Sequence, residues 1–69
     1  MTNQEDAVLE GSMRDLREAS RRIRAARYLL REHALIDDPG HLGLVARLSE
    51  ALDVTEAALR EARRLRDTT

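Results

Sequence analysis

Sixty-nine residues allow one small domain, and without cysteine it has neither disulfides nor thiolate metal sites to brace it. A formal net charge of −1 excludes gross charge as the recruiter of nucleic acid or membrane. Tyr28 is the sole aromatic residue, which leaves Leu, Ala, Val, Ile and Met, side chains suited to helix seams.

Residues 1–11 contain the acids Glu5, Asp6 and Glu10 and no base, and are expected to form a flexible acidic N-terminus, the alternative being a helix that runs through Gly11 at a cost of about 1 kcal/mol. They lack the basic start and apolar core of a signal peptide. No apolar run approaches the roughly 20 residues of a membrane span. The expectation is a soluble, cytoplasmic chain with no membrane contact.

Ser12 is a suitable N-cap, and Asp15 three residues later supports it. Leu16, Ile23 and Leu30 then recur every seven residues, with Met13, Ala19, Ser20, Ala26 and Ala34 on the same side. This pattern predicts a helix over about residues 12–36. The stretch IDDPGHLG interrupts it. Pro39 disfavours helix at Asp38 but can open a new helix at its first position, with Asp37 or Asp38 as cap. A turn over 36–40 and a second helix over about 39–66 follow. In that helix Val45, Leu48, Leu52, Thr55, Leu59 and Ala62 step by three and four. Residues 12–67 thus read as a single helical domain. The expected fold is all-α, an antiparallel hairpin of two long helices. A lone hairpin leaves its stripes uncovered, so pairing into a homodimeric four-helix bundle is expected. Leu16, Ile23, Leu30, Leu48, Leu52 and Leu59 are the candidate shared core.

Residues 45–64 admit another fold. Ser49 is a small residue early in a helix, Leu52 is apolar before a turn, and Val54 lies within that turn. Thr55 then opens a second helix, anchored by Leu59 and followed by Ala62. This order resembles the helix-turn-helix superfamily. The resemblance covers about twenty of the 69 residues and implies a small DNA-binding regulator with helices near 13–35, 41–52 and 55–66. Asp53 departs from it, standing where the family usually has Gly in a left-handed turn. Charge favours the unbroken hairpin. The outward face of a helix over 55–66 mixes Glu56 and Glu61 with Arg60 and Arg64, a poor surface for neutralising phosphates.

All twelve basic residues are Arg. At 100° per residue, Arg14, Arg17, Arg21, Arg24 and Arg31 fall on one side of the first helix, with Tyr28 among them. Residues 11–36 hold seven Arg against three acids, whereas 37–54 hold four acids against Arg47. The stripe is either a solvated face or a partner-binding face. Arg forks pair with carboxylates and Tyr28 can anchor a contact, so an acidic protein surface is the expected partner. Nucleic acid ranks second, because the acidic remainder of the chain opposes it.

No catalytic constellation is apparent. The serines lack a base on a common face, and there is neither a Gly-rich phosphate loop nor a Glu-x-x-His motif. His33, Asp37 and His41 are spaced by fours, but Pro39 breaks the helix that would align them as metal ligands. The expected function is non-enzymatic and cofactor-free: a small regulatory or adaptor module that binds a larger protein through a helical face.

Overall fold

A computed structural model describes residues 3–33 and 39–68, apart from the side chain of Asn3. These residues form two helices and no strand: α1, Asn3–Glu32, and α2, Pro39–Asp67. At 1.5 Å per residue, helices of 30 and 29 residues span about 45 Å each. The hairpin is accordingly 50 Å long and 14 × 13 Å across. Its radius of gyration is 15.7 Å, against about 11 Å for a compact globule of this length.

The helices run antiparallel. Glu10 meets Arg66 near the open end, Arg24 meets Glu56 further along, and Arg27 meets Ser49 beyond that. Leu30 lies beside Leu44 and Leu48 towards the connection.

The structure corrects the expected N-terminus. Residues 3–11 are not a flexible tail but the first turns of α1, which passes through Gly11. Glu5 and Asp6 sit in the first turn, where carboxylates complement the helix dipole. Leu9 is half-buried, and the Arg66 guanidinium donates to the Glu10 carboxylate at 3.1 Å. Tertiary contact with α2 therefore offsets the helix penalty of glycine, about 1 kcal/mol. At its other end α1 gives way to a turn at His33, and the remainder of its expected span, 34–36, lies outside the described residues. α2 begins at Pro39, the first position expected for it, and includes Gly40, which the expected turn and helix shared. The candidate caps Asp37 and Asp38 lie outside the described residues.

The three-helix alternative does not form. Asp53 and Val54 are helical, and α2 continues through them. The Thr55 hydroxyl, which would cap a new helix, donates instead to the Ala51 carbonyl at 2.7 Å within the same helix. Two causes favour continuity. Asp at the turn position would take a costly left-handed conformation. A break would also rotate Leu59 away from the face it shares with Leu52, and both are buried against α1.

The core is small and lies towards the open end. Met13 has no exposed surface and packs with Leu59, Ala62 and Leu16. Ala62 is short where Met13 is long, so the pair interdigitates as close-packed interiors require. Leu52 is the other buried apolar residue among those described. Nearer the connection Leu30, Val45 and Leu48 are only half-buried, while Leu29 and Leu44 are 57% and 47% exposed.

Two outcomes are expected in urea unfolding followed by circular dichroism. Met13→Ala destabilises the protein by about 2–5 kcal/mol, the range for removing a buried long apolar side chain. Gly11→Ala stabilises it by about 1 kcal/mol, because an added Cβ meets nothing within 4 Å.

Candidate functional site

The arginine stripe borders α2 along one flank of the hairpin. Two adjoining clefts run there, of about 400 and 330 Å³. The first is lined by Arg14, Arg17, Ser20, Arg21 and Leu59. Ser20 and Leu59 continue into the second, joined by Arg24, Glu56, Arg60 and Arg63. Together they make a groove with Arg14, Arg17, Arg21 and Arg24 on the α1 side and Arg60 and Arg63 on the α2 side.

The helix period explains this arrangement. Steps of three and four keep Arg14, Arg17, Arg21 and Arg24 on one edge of α1, beside the face that meets α2. Arg60 and Arg63 flank Leu59 and Ala62, which point into the core, so they emerge at the matching edge of α2.

Ion pairing distinguishes these arginines. Arg21 and Arg22 both bond Glu18, the latter at 2.9 Å, and Arg24 bonds Glu56 across the helices. Arg14, Arg17, Arg60 and Arg63 make no ion pair among the described residues. Guanidinium groups stay protonated and only donate, so a wall of them holds anions. The other members of the predicted set, Tyr28 and Arg31, are exposed on α1 but do not line the groove. The contribution of α2 was not foreseen from sequence. Its signal was present in the RxxR spacing of Arg60 and Arg63, each directly after a seam residue, but only the antiparallel register puts them opposite the stripe.

The residues expected to form a shared core divide into two groups. Leu52 and Leu59 are buried within the hairpin, and Leu16 packs against that cluster. Ile23, Leu30 and Leu48 are half-buried along the helix contact. The apolar surface left open lies on the other flank. There Ala26, Leu29, Leu30, His33, Leu44 and Leu48 line a cleft of about 370 Å³. Ala26 lies about 200° around α1 from Arg24, so the apolar and basic flanks face apart.

Asp37, between His33 and His41, lies outside the described residues, and among the described ones no three His, Asp or Glu side chains gather as metal ligands. Among those residues no helix is long and apolar enough to cross a membrane.

Among the described residues, two carboxyl groups are more acidic than usual. Glu18 is held below the ordinary glutamate value chiefly by the hydrogen bond from Arg22, with the charge of Arg21 next. Glu61 is lowered by the hydrogen bond from Arg64, whose own pKa is raised by the same contact. Arg66 is raised by its bonds to Glu10 and then Asp67. A carboxylate with a lowered folded pKa favours folding above its unfolded value, and that contribution is lost as pH falls through the folded one. Because these pairs are exposed and screened, the contribution is small, and helicity followed by circular dichroism should decline slightly and reversibly as pH drops below about 4.3. Glu18→Gln and Glu61→Gln together should blunt the response. An unaltered acid profile in the double variant would show that these pairs do not contribute.

Comparison of the chain with protein-family models, with curated proteins and with solved structures returned no match.

Proposed function

We propose that this chain is a non-enzymatic protein-interaction module, a small regulatory or adaptor protein that acts as a homodimer. The hairpins pair through their apolar flanks into a four-helix bundle. The basic flanks face outward and engage an acidic surface on a larger protein. The observation that carries this reading is the opposition of two chemically different flanks on one thin hairpin.

Area supports the dimer. The chain exposes 5181 Å², whereas a compact monomer of its mass exposes about 4,400 Å². The excess is close to the roughly 800 Å² that each partner buries in a standard interface. Leu44, Ala51, Ala58 and Leu65 recur every seven residues along α2, and all four are exposed. With Leu29 of α1 they offer the periodic apolar seam that helix bundles bury. The small alanines at the middle of this row allow close approach of two helices.

Charge supports the choice of partner. The net charge near zero supplies no general attraction to nucleic acid, while four unpaired guanidinium groups concentrate positive charge locally. Arg forks bind carboxylates in pairs of parallel hydrogen bonds, giving orientation as well as affinity.

Two measurements test the two halves. In analytical ultracentrifugation the wild type should sediment as a dimer, and Leu29→Glu with Leu44→Glu should give a monomer. A monomeric wild type refutes the bundle. Replacing Arg17, Arg21 and Arg24 with Glu should remove cross-linked partner proteins while leaving the dimer mass unchanged. Retention of the same partners would assign the stripe to solvated surface.

A further inference from the structure

The groove differs from a charged helix face in having two basic walls with a low floor between them. Arg14, Arg17 and Arg21 stand on one side, Arg60 and Arg63 on the other, and Leu59 and Ser20 lie between them. Four of those five arginines are without an ion pair among the described residues. We propose that the groove docks an acidic amphipathic helix of a partner protein, which lies along it as a third helix. The inference rests on the interaction-module reading above and names the occupant of that same surface.

Shape points to a helix. A trough between two packed helices is the site a third helix occupies in a bundle, its side chains seated between those of both neighbours. Ser20 keeps the floor low at the point where the two clefts meet, and each cleft is large enough for a side chain from above. Arg14 to Arg24 spans about 15 Å of α1, the length of roughly three turns of a docked helix. An extended strand gains nothing comparable, since helices leave no backbone edge for it to pair with.

Chemistry selects the residues of that helix. Its apolar stripe packs on the exposed edge of Leu59 and the aliphatic stems of the arginines, and carboxylates three and four positions apart on its borders reach the two walls. A phosphate polymer fits less well. It has no apolar stripe for the arginine stems, and Glu56 on the same rim repels it.

The test uses the full chain and a fluorescein-labelled peptide of about fourteen residues, with Leu along one helical face and Glu on both borders. A scrambled peptide of equal composition and a single-stranded oligonucleotide of similar charge serve as controls. Fluorescence anisotropy should show binding of the patterned peptide that weakens as salt rises. The scrambled peptide should bind at least about tenfold more weakly. Arg60→Gln with Arg63→Gln should reduce affinity at least about tenfold, as should Arg14→Gln with Arg17→Gln. Helicity and dimer mass should be unchanged in both.

Binding that withstands loss of Arg60 and Arg63 but not of Arg14 and Arg17 overturns the groove, while leaving the α1 stripe as the partner face. No binding of the patterned peptide, or equal binding of the scrambled one, overturns it outright. Tighter binding of the oligonucleotide overturns it in favour of a nucleic-acid partner.

Discussion

The contact of Met13 with Leu59 and Ala62, supported by Leu16, holds the two helices in register. It lies far from the connection, near the open end of the hairpin. At that distance the connection cannot impose alignment by itself, and side-chain packing must do so. Once Met13 is seated, Glu10 falls opposite Arg66, and Arg24 opposite Glu56. The same seating makes Leu59 the floor of the basic groove. A shift of one helical turn along the seam would carry Arg60 and Arg63 about 5.4 Å away from the arginines of α1.

The core that performs this task is thin. Met13, Leu52, Leu59 and Ala62 are the buried apolar residues among those described, in a pair of helices of 30 and 29 residues. Small domains without disulfides or metals usually need further burial to be stable. Under the proposed dimer, the flank of Leu29, Leu44 and Leu65 provides it, so folding and association become linked and stability depends on protein concentration. The function then follows from the same economy of surface. In that arrangement the second copy would cover one flank, and the opposite flank would be left to carry charge.

The ion pairs have a different role from the apolar contacts. They are largely exposed, and such pairs contribute little to stability. Their main effect is on which charges remain available. Glu18 occupies Arg21 and Arg22, and Glu56 occupies Arg24, while Arg14, Arg17, Arg60 and Arg63 make no ion pair among the described residues. A chain with a net charge of −1 thereby acquires a locally basic surface.

Much of the fold was legible in the residues themselves. The period of Leu16, Ile23 and Leu30, the break at Pro39 and the period of Leu48, Leu52 and Leu59 specify two helices, because apolar spacing and proline geometry act locally. Asp53 in place of glycine favoured one continuous α2 for the same local reason. The extent of α1 was not legible. Gly11 and a favourable cap at Ser12 argue for a later start, and only Arg66 and the seam of α2, more than fifty residues away in sequence, stabilise the turns before it. The groove was half legible. The sequence determined the α1 stripe through its three- and four-residue steps, whereas Arg60 looked like part of a mixed solvated face and Arg63 was not singled out. Tertiary structure decided their place, because the side-by-side position of two helix edges depends on the register set by Met13, and no local pattern encodes that register.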